Sequence, residues 1–285
     1  MSAAELVPFS VAMSVYRSDD PRFFDRALAS ITQLQTVMPD EIVLIVDGPV
    51  GDGLNRVIRK FEERYPIFQI IRLEKNGGLG NALKLAVECA GNELVARMDS
   101  DDVSVPTRFR QQLDYFAAHP QADIVGGDIS EFIGGEDNVV GTRRVPESNE
   151  AIRAYMKKRC ALNHVSVMFR REAVLKAGGY RDWFWNEDYY LWIRMWLDGA
   201  VFANTGTVLV NVRTGEEMYQ RRGGWKYFKS EAGLQSLMLK KGMIRLPRYL
   251  LNVGERFVMQ VLLPNRLRGT VFRKLARTKQ GSESK

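Results

Sequence analysis

Glu41-Ile42-Val43-Leu44-Ile45-Val46 is an unbroken, β-branched apolar run, closed by Asp47-Gly48-Pro49. So short and apolar a run predicts a strand buried on both faces, and the residues after it are turn chemistry. The flanks agree. Upstream, Phe9–Val15 reads as another buried strand, and Pro21–Leu34 carries Phe24, Ala27, Leu28 and Ile31 at helical spacing. Downstream, Leu54, Val57, Ile58 and Phe61 give a second helical face with Asp52 as its N-cap. Phe68–Leu73 then predicts a strand, Gly80–Ala90 a helix, and Leu94–Met98 a fourth strand that runs into Asp99. This alternation implies an α/β fold, a mostly parallel, Rossmann-like sheet with helices on both faces.

Past residue 125 the pattern is irregular. Gly126-Gly127 and Gly134-Gly135 punctuate short strands, Glu150–Lys158 reads as a helix, His164–Phe169 as a strand and Glu187–Leu197 as an amphipathic helix. The expected layout is an α/β half over residues 1–125, a mixed half of the same domain over 126–240, and a basic amphipathic tail over 241–285.

Composition bounds the rest. The chain has 285 residues, 45% hydrophobic and 26% charged, which is ordinary for a soluble globular protein. Cys89 and Cys160 are too few for a disulfide framework and lie in no metal-ligand spacing, which predicts reduced thiols in the cytoplasm. Met1–Val7 has no secretory pattern, and no run of about 18 apolar residues occurs. The formal charge of +7 belongs to the tail: Lys240–Lys285 holds twelve Lys or Arg against Glu255 and Glu283. Such a tail fits nucleic acid, an anionic membrane surface or an acidic partner, and composition does not choose among them.

In open α/β sheets, ligands sit outside the carboxyl ends of the strands. Three polar clusters fall at that edge: Ser14-Val15-Tyr16-Arg17, Asp47-Gly48 and Asp99-Ser100-Asp101-Asp102. Alternation puts Asp99 and Asp101 on one side of an extended backbone, where they can share a hard cation such as Mg²⁺ or Mn²⁺. An acidic turn before Pro106 has the same composition; the position after a fourth strand favours the metal.

Five motifs stand in order: Ser10–Tyr16, Glu41–Gly48, Asn76–Ala82, Arg97–Asp102 and Asn186–Trp192. Together they resemble the inverting GT-A glycosyltransferases of family 2, and most of all the bacterial enzymes that assemble exopolysaccharide, O-antigen or capsule. The resemblance spans residues 9 to 215. It implies hexosyl or N-acetylhexosaminyl transfer from a nucleoside-diphosphate donor, most simply a UDP-sugar, to a saccharide or lipid-linked acceptor, with Mn²⁺ or Mg²⁺ as cofactor. Tyr16 and Asp47 would hold base and ribose, with Val15 and Arg17 along the same edge. Asn76 and Gly78 would lie near the nucleotide, Arg97 near diphosphate or ribose, and Ser100 on the donor side. Asp99 would meet ribose or metal-bound water, Asp101 would bind the metal, and Asp188 would be the general base with Glu187 beside it. The family usually has two aspartates after the second strand; here Asp47 stands alone before Gly48-Pro49.

Other residues carry two readings each. Glu187 and Asp188 are also ordinary first-turn acids of a helix. His164 is either an acceptor-pocket residue or a hydrogen-bonded structural one, and His119 ends a surface helix. The aromatics around Asp188, Trp183, Trp185, Tyr189, Tyr190 and Trp192, are core or sugar platform. Arg213, with Arg221 and Arg222, is a diphosphate clamp or solvated charge. The segment from Tyr249 to Leu263, followed by Arg266, Arg268, Arg273, Lys274 and Arg277, either lies on an anionic membrane or packs with a solvated basic face. Two further functions stay open, a metal-dependent nucleotidyltransferase and a nucleic-acid-binding protein using the tail. The first lacks its usual Gly-rich, basic signature near residues 9–22. Against the second stand the slightly acidic body and the absence of a basic face interleaved with aromatics, so no nucleic-acid partner is expected.

Overall fold

The computed structural model describes residues 7–215 and 223–263. Its first half follows the alternation: β1 (Phe9–Val15), α1 (Pro21–Ile31), β2 (Glu41–Val46), α2 (Asp52–Arg64), β3 (Phe68–Arg72), α3 (Leu79–Cys89) and β4 (Leu94–Met98). β3, β2, β1 and β4 lie side by side and all parallel. Alternate residues of the central strands feed opposite cores. Val11, Met13, Ile42 and Leu44 face one, while Ala12, Val43 and Ile45 face the other. Burial on both sides is why these strands read as continuous apolar runs.

β5 (Val103–Ser104), α4 (Arg108–Ala118), β6 (Ile124–Phe132), β7 (Val139–Arg143), α5 (Asn149–Met156), β8 (Met168–Arg170), α6 (Arg171–Lys176), α7 (Glu187–Leu197) and β9 (Phe202–Arg213) follow. β8 pairs antiparallel with β4 and β6, and β6 runs parallel to β9, giving one mixed nine-stranded sheet among the described residues. Consecutive parallel pairing is confined to β3, β2, β1 and β4, and the second half is mixed, as its irregular pattern predicts.

Three local expectations change. Gly51, not Asp52, is the N-cap of α2, and Asp52 is its first residue. His164–Ser166 forms a 3-10 turn, so the strand begins only at Met168. Gly126-Gly127 does not end a strand, since β6 runs through both. A Cβ on Gly127 would meet Leu209 at 2.6 Å, so the glycine admits the β9 side chain instead of making a turn.

α8 (Trp225–Lys240) and α9 (Leu246–Phe257) close the described chain and pack on each other. No described helix is long and apolar enough to cross a membrane.

Candidate active site

The strand order places the carboxyl ends of β2, β1 and β4 next to one another, which brings Asp47, Tyr16 and Asp99 to one edge. A cleft of about 570 Å³ opens there, lined among others by Tyr16, Asp19, Asp47, Asn76–Asn81, Trp185 and Glu187. A second, of about 520 Å³, is lined by Arg97, His164, Asp188 and Arg213 among others. Asp99 and Asp101 line both, so the acidic loop after β4 is the wall the two clefts share.

Asp47 shapes the first cleft through the backbone. Its carboxylate accepts N–H bonds from Gly77 (2.6 Å) and Gly78 (3.0 Å) and from the Asn76 amide (2.9 Å), tying the loop before α3 to the end of β2. Tyr16, 41% exposed, lies at the mouth, and Arg17 lines a smaller extension of about 480 Å³ beside it. Val15 is buried in the core. Trp185 is half exposed, stacks on Phe184 at 4.7 Å, and has a left-handed backbone (φ 55°), which no other non-glycine among the described residues adopts. A strained, exposed tryptophan on a cleft wall is a feature that core packing does not require.

In the shared wall, oxygens of Asp99, Asp101 and Asp102 lie within 4.8 Å of one another. Each is held differently. Both oxygens of Asp99 pair with the guanidinium of Arg97, which is buried beneath it. Burial works against the charge of Arg97, but Asp99 more than offsets this and raises its pKa above the ordinary value. Asp102 is buried, accepts from the Arg213 backbone N–H (2.8 Å), and is pushed well up by burial and by the charges of Asp99 and Asp101. Asp101 opens onto the cleft; enclosure by the cleft walls, then the charges of Asp99 and Asp19, raise it to about 6. Hard carboxylate oxygens crowded to this degree fit Mg²⁺ or Mn²⁺, because a divalent cation relieves the repulsion that otherwise favours protonation. Asp101 has the most open coordination position.

The second cleft holds Asp188, in the first turn of α7, where the helix dipole favours a carboxylate. Behind it the Cys160 thiol lies 4.0 Å from Asp188 Oδ2, and burial, then the charge of Asp188, push that thiol up to about 12. His164 shares a 2.9 Å hydrogen bond with the Tyr180 hydroxyl; burial and the charge of Arg97 keep its imidazole neutral. It is therefore both a cleft residue and a structurally hydrogen-bonded one. Arg213 lines this cleft and braces the acidic loop. Its guanidinium lies over Phe23 (3.7 Å) and Phe132 (4.7 Å) and donates to the Asp101 and Gly134 carbonyls. Arg221 and Arg222, and the tail beyond residue 263, lie outside the described residues.

Trp192 and Tyr189 are core residues, and Trp183 packs on Tyr190. Asp19 escaped the sequence reading. It accepts from Tyr16 N–H (3.0 Å) and Ser100 Oγ (2.8 Å), clipping the loop after β1 to the acidic loop. Its neighbour Asp20 caps α1, and two adjacent aspartates before a helix read as capping chemistry alone.

Residues 10–182 match the Glycosyl transferase family 2 profile. The amylovoran biosynthesis glycosyltransferase AmsE of Erwinia amylovora is 39% identical over 85% of this chain and 91% of its own length. The UDP-Gal:alpha-D-GlcNAc-diphosphoundecaprenol beta-1,3-galactosyltransferase of Escherichia coli is 35% identical over 94% of this chain and 96% of its own. Among solved structures, the mannosyltransferase PcManGT of Pyrobaculum calidifontis, in complex with GDP-Man and Mn²⁺, superposes with a TM-score of 0.64 at 14% identity, over 96% of this chain and 77% of that one.

Proposed function

Because this chain belongs to glycosyltransferase family 2, we propose that it moves a sugar from a UDP-linked donor onto a saccharide or lipid-linked oligosaccharide, with inversion. Membership makes it a glycosyltransferase and sets aside the nucleotidyltransferase and nucleic-acid readings. The relatives work in polysaccharide biosynthesis; the name of the E. coli relative specifies a UDP-sugar and a diphosphoundecaprenol-linked acceptor, which supports both choices.

The observation that carries the reading is the shared acidic wall, with a nucleotide-sized cleft on one side and Asp188 on the other. Tyr16 and the Asp47-held loop Asn76–Gly78 would take base and ribose, Arg17 the outer edge and Ser100 the inner. Val15 supports this edge from the core. Asp101 and Asp99 would hold Mn²⁺ or Mg²⁺, which when bound neutralises the leaving diphosphate. Arg97 sets the orientation of Asp99, and Arg213, which braces the loop from the same cleft, would also face the diphosphate.

Asp188 would accept the proton of the acceptor hydroxyl as that oxygen bonds to the anomeric carbon. The bond from that carbon to the diphosphate oxygen breaks on the opposite side, and its electron pair leaves with UDP. Trp185 and Glu187 would face the transferred sugar, and His164, neutral, would offer the acceptor a hydrogen-bonding edge. The enzyme would meet a lipid-linked acceptor at the inner face of the cytoplasmic membrane.

Calorimetric titration of UDP and GDP, with and without Mn²⁺, on wild type and Asp101→Ala tests the donor site. Metal-dependent UDP binding that Asp101→Ala abolishes is expected; no binding of either nucleotide overturns the assignment.

A further inference from the structure

α9 is built inside out. Its buried positions, Asn252 and Arg256, are polar, and the π-helical turn that continues it (Val258–Leu262) buries Gln260 on the same side. These three sit one turn apart, and each has a polar partner inside. Asn252 donates to the Lys157 carbonyl (2.8 Å) and Gln235 (2.7 Å), Arg256 pairs with Glu231 (2.9 Å), and Gln260 donates to Glu231 (2.6 Å).

The outer face is the apolar one. Leu246, Leu250, Leu251, Val258 and Leu262 lie at helical spacing, with Leu250 59% and Leu251 51% exposed, and Gly254 and the single carboxylate Glu255 are exposed among them. A helix on a water-facing surface shows the opposite arrangement. The exposed cations Lys240, Lys241 and Arg245 precede the leucines at one end, and at the far end Trp225, half exposed, packs against Phe257 (6.2 Å) with the Lys229 ammonium over its ring (5.7 Å). The sequence that follows, residues 264–285, adds seven Lys or Arg and one Glu. Apolar side chains with cations at both ends, one carboxylate among them and a flanking aromatic match the boundary of an anionic bilayer. A second copy fits less well, because like-charged rims would face each other across the interface.

We propose that the outer face of α9 and its π-helical continuation inserts into the headgroup region of an anionic lipid bilayer, with the leucines in the acyl boundary and the cations on the phosphates. The reading rests on charge and shape alone, but its purpose rests on the lipid-linked acceptor proposed above. It is also connected to the site. α8, on which α9 packs, holds the loop before Asp188: Ser230 accepts from Asn186 (3.0 Å) and Trp183 (3.0 Å).

Flotation of the full chain with vesicles of phosphatidylglycerol and phosphatidylethanolamine, against phosphatidylcholine alone, tests it. Calorimetric binding of UDP with Mn²⁺ reports the donor site separately, and its failure with normal flotation would indict the donor reading only. Wild type is expected to float with the anionic vesicles, and Leu250→Glu/Leu251→Glu to bind them at least about tenfold more weakly, at unchanged melting temperature. Equal binding by the variant would assign the attraction to the basic tail and overturn the proposal. So would failure of the wild type to float, or a wild-type dimer that the variant dissociates.

Discussion

Glu187 and Asp188 are consecutive residues at the start of α7, yet they line different clefts, Glu187 beside the Gly77–Asn81 loop and Asp188 beside His164 and Arg97. Neighbours on a helix point about 100° apart, so one turn presents a carboxylate to each side of the acidic wall. Removing the two charges should therefore have separable effects. Asp188→Asn is expected to lower kcat by about 10³-fold or more and leave the Kd for UDP unchanged, as for a base that acts only in the transfer step. Glu187→Gln should cost about tenfold, mainly in the KM for the donor sugar. Steady-state kinetics with calorimetry separates the two; equal kcat losses in both variants would argue against the assignment.

Glu187 also makes stability depend on pH. Burial, then the charge of Asp188, raise it from 4.5 to about 7, with Arg97 opposing and Asp99 adding to the rise. Across that window the folded chain holds a proton that the unfolded chain has released, so stability falls as pH rises. The carboxyl is partly exposed, which limits the contribution to about 2 kcal/mol or less. Urea unfolding at about pH 5 and about pH 8 should show the loss in wild type and a smaller one in Glu187→Gln.

The parallel half of the fold was legible because Glu41–Val46 and its neighbours are buried on both faces and bounded by turn residues; local sequence carries that signal in full. The acidic loop was legible for the same reason, as it follows a strand directly. Less of the second half was readable. The path of β6 through Gly126-Gly127 depends on Leu209 of β9, more than eighty residues away, and no local pattern reports it. The bracing contacts of Arg213 were hidden because its partners, Phe23 and Phe132, are likewise remote in sequence. The inversion of α9 was hidden too, since apolar residues at helical spacing do not say which face turns inward.

Gly48 is a direct test of the Asp47 loop. Its φ is +85°, and a Cβ there would stand 2.7 Å from the Asn76 backbone nitrogen. Neither backbone can yield cheaply, so Gly48→Ala should lose about 1–3 kcal/mol of stability and bind UDP about tenfold more weakly. Gly51→Ala, with nothing within 4 Å of the added carbon, is the steric control: it should cost only about 1 kcal/mol or less, the loss when Ala replaces Gly at the N-cap of α2, and leave UDP binding unchanged.

Arg97 is the buried counter-charge of the acidic wall. Its side chain is 3% exposed and both its terminal nitrogens face Asp99, whose side chain is 33% exposed. The next cation inward, Arg108, is also buried but donates to the Arg97 carbonyl, Gln112 and Met98 instead of to a carboxylate. Arg97→Met would thus leave Asp99 against Asp101 and Asp102 with no paired cation. Breaking a fully buried pair costs about 3–5 kcal/mol; partial solvent access to Asp99 reduces the expected loss to about 2 kcal/mol. Asp99→Asn in the same chain should restore part of it, giving a coupling energy of about 1 kcal/mol or more in a double-mutant cycle. Mn²⁺ should stabilise Arg97→Met more than wild type, because a bound cation supplies the missing charge. Denaturant unfolding of the four proteins with and without Mn²⁺ measures both effects. If Mn²⁺ stabilises neither wild type nor Arg97→Met, the carboxylates are held by Arg97 alone and do not form a metal site.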